Sequence, residues 1–183
     1  VSAAPVVLEV PDLRGDGFVL RPWRVDDAPS LSRAWHDPAI IAGSTPPPDR
    51  SEAAAARWIE GWEERRLRGL ALDLVVADPA GGDVLGEVGL WSLSTTPHPV
   101  ASIGWWIHEE HRGRGLATAA VRAVAHWVVA ETVLASVQAE IQADNTASLA
   151  VAQRAGFHLV SDGNPQIWLR DRAPEEPELM NAT

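Results

Sequence analysis

Apolar and polar positions along this 183-residue chain follow two periods, and the change from one to the other is sharpest within 103–118. The first third of that stretch alternates and carries β-branched and aromatic side chains, which predicts a strand. Leu116, Ala120, Val124, Trp127 and Val128 then fall on one face at helical spacing, which predicts a helix over 116–130. Between the two lie Gly113 and Gly115, flanked by Arg112 and Arg114.

The same pattern predicts the remaining elements. Residues 1–12 read as a loose lead-in. A first strand over 18–23 is stopped by Pro22, and a short helix over 26–35 takes Asp26 or Asp27 as its cap. A break at 45–48 precedes a helix over 51–68, with Ala55, Trp58, Ile59 and Trp62 on its core face and Glu60, Glu63 and Glu64 opposite. Strands over 70–77 and 84–92 flank the hairpin residues Pro79 to Asp83, and Pro97-His98-Pro99 turns the chain into the central strand. A strand over 134–141 places Val137, Ala139 and Ile141 on one face. Asn145 caps a helix over 146–155, Gly156 ends it, and a hairpin through Asp162-Gly163-Asn164 leads to 167–170. Three antiparallel strands before the glycine turn and a strand–helix–strand unit around it predict a mixed α/β (α+β) sheet, mostly antiparallel, with one parallel pair. One domain over 1–171 is expected, followed by an acidic, solvated and flexible tail over 172–183.

Composition narrows the function. Apolar residues make up 46% of the chain, enough for a sizeable core. No cysteine is present, which removes disulfide and thiolate chemistry and suits a reducing compartment. No apolar run is long enough for a membrane span, and no basic segment followed by an apolar core opens the chain, so neither a membrane partner nor a signal peptide is expected and the location expected is cytoplasmic. The six histidines are scattered and no set of side chains has metal-ligand spacing. A net charge of −10 argues against nucleic acid and draws a cationic acceptor such as an amine.

A strand, a glycine turn and a helix aim several free backbone N–H groups at one place, where the helix dipole and the guanidinium groups add positive charge. A phosphate or diphosphate is the ligand such a site takes. No Gly-Lys-Ser/Thr follows, so it is not a Walker loop, and Thr118 stands where a dinucleotide fingerprint needs its third glycine. The form that fits is Gln/Arg-x-x-Gly-x-Gly/Ala, filled by Arg112, Gly115 and Ala117. With this loop, the Leu-Arg-Pro…Asp-Asp-Ala opening and the later Asn145…Ser148…Ala155-Gly156-Phe157, the chain resembles the GNAT superfamily of N-acetyltransferases, in the ribosomal-protein alanine acetyltransferase (RimJ/RimL-like) branch, from about residue 18 to 169.

The resemblance implies a splayed parallel strand pair and acetyl-coenzyme A as co-substrate. Its diphosphate would lie on Arg112, Gly113, Arg114, Gly115, Ala117 and Thr118, its pantetheine arm along 105–107 with Asn145 nearby, and its thioester carbonyl at an N–H of Trp106 or Ile107. In that branch the serine of Asn-x-x-Ser is the proton donor to the leaving thiolate, here Ser148, and the chain has no tyrosine for that task. Where many relatives carry a basic glutamate this chain has Ser102. Glu87 on the preceding strand is the replacement expected, with Glu140, His98 and His108 as the other candidates. The activity implied is acetylation of a protein N-terminus or a small-molecule amine. Coenzyme A binding without catalysis, and an unrelated phosphate site, are the alternatives; the acceptor and a homodimer stay open.

Overall fold

The computed structural model describes residues 6–80, 82–94 and 99–172. His98 and the tail from residue 173 lie outside the described residues. Eight strands form one sheet in the order β1-β2-β3-β4-β5-β6-β8-β7. They are β1 (Arg14–Gly15), β2 (Phe18–Arg21), β3 (Ala71–Ala77), β4 (Val84–Ser94), β5 (Val100–Ile107), β6 (Ser136–Ile141), β7 (His158–Ser161) and β8 (Gln166–Asp171). The helices are α1 (Ala28–Ala34), α2 (Pro38–Ile41), α3 (Glu52–Glu60), α4 (Trp62–Leu67), α5 (Leu116–Glu131) and α6 (Thr146–Arg154). Every neighbouring strand pair is antiparallel except β5 with β6. The mixed, mostly antiparallel sheet with one parallel pair is therefore as the sequence predicts.

The core has two halves. On one face of the sheet, α5 buries Leu116, Ala120, Val121, Val124 and Val128 against Val88, Leu90, Ala101 and Ile103. Burial at roughly 25 cal/mol per Å² of apolar area holds this layer. On the other, α1, α3 and α4 bring Leu31, Ala55, Ile59 and Trp62 to the core. Trp62 donates its indole N–H to the Asp73 carbonyl at 2.6 Å, which fixes α4 to β3. Trp58 is half-buried and meets Trp23 and Trp35 edge-on at 6.1 and 6.4 Å between centroids. Both tryptophans thus take the packing role expected of them.

Four local expectations change. Gly61 divides the predicted long helix into α3 and α4, its loss of backbone restraint favouring the break. The lead-in is anchored: Val6 and Leu8 are buried and Arg66 donates to the Leu8 carbonyl at 2.9 Å. Asp27 stands at the cap position of α1, yet its carboxylate accepts instead from Arg21 at 2.7 and 2.9 Å and from the Arg24 N–H at 2.8 Å. The helix α2 arises where the pattern predicts no element. Asp37 caps it, accepting from the Ala39 N–H at 2.8 Å, and Pro38 occupies its first turn.

Candidate active site

The ladder between β5 and β6 joins Val100 to Ser136, Ala101 to Val137 and Ser102 to Gln138, and stops there. Both strands continue, β5 held by β4 and β6 by β8. A cleft of about 840 Å³ occupies the divergence. One wall is Ile103 to Ile107, the other Ala139 to Gln142. Residues of α2 and the turn after it, including Ile40 and Gly43, close one side, and the starts of α5 and α6 close the end.

The glycine turn lies at that end. Gly113 and Gly115 have φ of +74° and +79°, in the left-handed region, and a Cβ on either would meet no protein atom within 4 Å. Glycine is needed here for the backbone conformation, and its bareness leaves room for a ligand. Gly115 is the N-cap of α5 without a side-chain cap, and the first helical N–H with a carbonyl partner is that of Ala119, to Gly115 at 3.0 Å. The N–H groups of Leu116, Ala117 and Thr118 are left to point along the helix axis with the positive end of the dipole. This is an anion-binding geometry.

The two arginines of the loop differ in what they do. Arg112 donates through Nε to the Ile107 carbonyl at 2.9 Å and through a terminal nitrogen to Asp37 at 2.5 Å. Its guanidinium therefore clamps the loop to the end of β5 and to α2, where the sequence expectation had it facing the anion. Asp37 is held below the usual carboxylate range: burial would raise it, but the Ala39 N–H and Arg112 outweigh that. Arg114 is exposed, lies 3.3 Å from His111 Nδ1, and does not line the cleft. Trp106, Ile107, Gly113, Gly115, Ala117, Thr118, Asn145 and Ser148 all line it, as does the Arg112 side of the loop. Asn145 caps α6 by accepting from the Ser148 N–H at 3.1 Å, which places Ser148 in the first turn facing the cleft.

The acid–base candidates separate. Glu140 is exposed on the β6 wall and accepts from Gln138 Nε2 at 3.1 Å. His108 is buried and outside the cleft lining; its ring sits 4.9 Å from that of Trp106, and Ser30 Oγ is 2.7 Å from its Nε2. Burial pushes it down to about 4, so it is neutral near pH 7. Ser102 pairs with Trp91 on β4 and Gln138 on β6.

Glu87 is opposite Trp106 in the β4–β5 ladder and lies beneath it. Trp23 donates its indole N–H to Glu87 at 3.0 Å, and the Trp106 side chain also hydrogen-bonds the carboxylate. Some surface of the residue stays accessible, while the carboxylate itself is enclosed. Loss of solvation raises its pKa, as does the nearby charge of Asp73; the two indole bonds and Arg65 oppose this, and the value reaches about 8. Asp73 is likewise raised by burial, to about 6, although Arg65 stands 3.6 Å away. Glu87 does not itself line the cleft; Trp106, which does, separates them. Among the described residues no three His, Cys, Asp or Glu side chains converge on a metal position, and no helix is long and apolar enough to cross a membrane.

Arg154, which lines the cleft, and Asp37, which anchors Arg112 beside it, were both missed by sequence reasoning. Asp37-Pro38 was a visible helix-start signal; Arg154 carried none, because its place depends on how α6 packs beside α5.

With this geometry in view, comparison with known proteins is specific. A family model described as an acetyltransferase (GNAT) domain matches residues 18–158. The uncharacterized protein YkkB of Bacillus subtilis (strain 168) is 27% identical over 134 residues, 73% of this chain and 76% of YkkB. Mycobacterium smegmatis RimJ, solved with a coenzyme A disulfide, superposes with a TM-score of 0.73 at 22% identity, over 84% of this chain and 81% of that one. The microcin C7 self-immunity acetyltransferase MccE, solved with acetyl-coenzyme A and AMP, superposes with a TM-score of 0.71 at 20% identity, over 86% and 93% of the two chains.

The Glu87 environment has a consequence for stability. A carboxyl that binds its proton more tightly folded than unfolded stabilises the fold fully below the unfolded pKa, about 4.3, and loses that contribution as pH rises through the folded value near 8. Urea unfolding between pH 6 and 9 is expected to show wild-type stability falling more steeply with pH than that of Glu87→Gln. Parallel curves for the two proteins would show that Glu87 ionises normally.

Proposed function

The chain belongs to the GNAT acetyltransferase family, and from that premise we propose that it transfers the acetyl group of acetyl-coenzyme A to a primary amine by direct attack on the thioester. The observation that carries this is the divergence of β5 from β6 with the uncapped start of α5 at its end. An extended arm bearing backbone-like amides fits between the strands, and a diphosphate fits on the N–H groups of 113–118. Arg112 holds that loop in place through Ile107 and Asp37, and Arg114 supplies charge from outside. An N–H of Trp106 or Ile107 stabilises the oxyanion that develops as the amine adds to the carbonyl.

Two protons must then be handled. Ser148 gives one to the departing thiolate sulfur from the first turn of α6. The amine proton is assigned to Glu87, reached by relay past Trp106 and not by direct contact, since Glu87 does not line the cleft. Burial holds its carboxyl well above the ordinary carboxylate range, toward the range in which an amine gives up its proton. The acceptor proposed is an α-amine, on a protein N-terminus or a small molecule. RimJ and the other ribosomal-protein acetyltransferases of the same fold are consistent with the former.

A second reading, coenzyme A binding without transfer, draws on Ser102 in the usual glutamate position and on Trp106 standing between Glu87 and the cleft. Release of free coenzyme A thiol, measured with α-amino peptides and with Nα-blocked lysine, decides between them. Release with the former and not the latter is expected; no release with any amine, together with binding by calorimetry, selects the second reading.

Three variants test the residue roles. Gly115→Val is expected to abolish acetyl-coenzyme A binding, because its side chain occupies the anion's path and its φ is strained for valine; unchanged affinity in the folded variant would remove the loop from the site. Ser148→Ala should lower turnover roughly 10²–10⁴-fold while leaving acetyl-coenzyme A affinity almost unchanged, and the reverse pattern would make Ser148 a binding residue. Glu87→Gln should depress turnover and flatten the acidic limb of the pH–rate profile. If instead Glu140→Gln does so and Glu87→Gln behaves as wild type, the base is on β6.

A further inference from the structure

Glu87, Gly89 and Trp91 on β4 stand opposite Trp106, Gly104 and Ser102 on β5. These positions alternate with the core residues that meet α5, so they share the other face of the sheet. Gln138, opposite Ser102, and Glu140 carry that face onto β6. Glu87 and Trp106 are covered there by the tryptophan cluster. Trp91 is not: its indole leaves 44% of the residue's surface open.

Neighbouring residues hold this exposed ring in place. Its benzo edge rests on Gly104, where a Cβ would stand 2.7 Å from Cη2 and 3.0 Å from Cζ3, so a larger residue there would displace it. The next residue, Ser92, has φ of +52°, in the left-handed region that serine rarely adopts. The β4–β5 register shifts between Trp91 and Ser94. Such a break in register re-aims a side chain beside a site. Gly104 lines the cleft, so the indole borders the cleft where β5 and β6 part. Glu140, exposed, lines the opposite wall.

An indole and a carboxylate on facing walls suit a cation between them. The fold makes the same pairing internally: the Arg65 guanidinium lies 4.0 Å from the centre of the Trp58 ring and 3.6 Å from Asp73. Gly104 is two residues from Trp106, about 7 Å along an extended strand. A group on Trp91 is therefore about one peptide residue away from an amine attacking at Trp106 or Ile107. We infer that Trp91 and Glu140 form a subsite for a second positive charge on the acceptor, the guanidinium or ammonium of an arginine or lysine that follows the first residue of an α-amino peptide. The net charge of −10 draws such a peptide in. The inference rests on the amine-acetylation reading and deepens it by naming the acceptor's side chain.

Calorimetry on protein saturated with coenzyme A tests this, using two peptides that differ only in arginine or its neutral counterpart citrulline at the second position. Wild type is expected to bind the arginine peptide at least about fivefold more tightly. Trp91→Leu, which keeps an apolar side chain and removes the π face, should bring the two affinities together by weakening the arginine peptide alone. Trp91→Phe should keep part of the preference. Unchanged coenzyme A affinity reports that each variant is folded. Equal affinities in wild type, the full preference persisting in Trp91→Leu, or equal weakening of both peptides in that variant overturns the inference, as does binding of neither peptide. Thiol release with the arginine peptide reads the transfer separately. A preference that depends on Trp91 without any release supports the subsite and removes the acetylation reading.

Discussion

The hydrogen-bond ladder between β5 and β6 ends at Ser102 and Gln138 while β5 runs on to Ile107 and β6 to Ile141. This divergence costs little in support, because each strand keeps a full ladder on its other side. What it creates is a gap walled by extended backbone, and backbone polar groups facing such a gap want partners. The helix that joins the two strands starts at the mouth of the gap with its N–H groups uncapped. An extended polar chain ending in an anion would answer both needs, which is the shape of the acetyl-coenzyme A proposed above. Asp37, on the far side of the cleft, ties its rim to the loop through Arg112.

The apolar face of α5 and the tryptophan-rich face of the sheet do different work. The first is a dry layer of alanine, valine and leucine that fixes where α5 begins. The second encloses charge. Asp73 and Glu87 both flank Gly89, where a Cβ would stand 2.9 Å from an Asp73 oxygen, so this glycine makes room for the carboxylates. Packing two carboxylates and Arg65 among Trp23, Trp58 and Trp106 costs solvation, and the fold offsets it partly with indole N–H bonds and partly by keeping a proton on Glu87. A carboxyl held well above its ordinary range is the by-product of this enclosure. The opposite sign of charge collects where α5, α6 and β8 meet, in a cavity shared by four arginines and one carboxylate.

Local sequence determined the strand–glycine turn–helix unit, the cap at Asn145, the ending at Gly156 and the mixed sheet, because each depends on contacts a few residues apart or on periodicity within one element. Gly113 and Gly115 were legible as a turn into an uncapped helix start for the same reason: positive φ and free N–H groups are properties of a short segment. The N-cap at Asp37-Pro38 was legible too, and its short helix was missed among the breakers that follow it. Tertiary structure alone decided the rest. Arg112 turns to Asp37, 75 positions away, because strand ending and helix start meet only in the fold. Glu87 is enclosed because Trp23, Asp73 and Trp106 reach it from three different strands and loops, and a pKa is set by what surrounds a group in space rather than by its neighbours in sequence. The arginine cavity likewise joins side chains from positions 122 to 172, each of which reads along the chain as an ordinary solvated cation, and it exists only where α5, α6 and β8 come together.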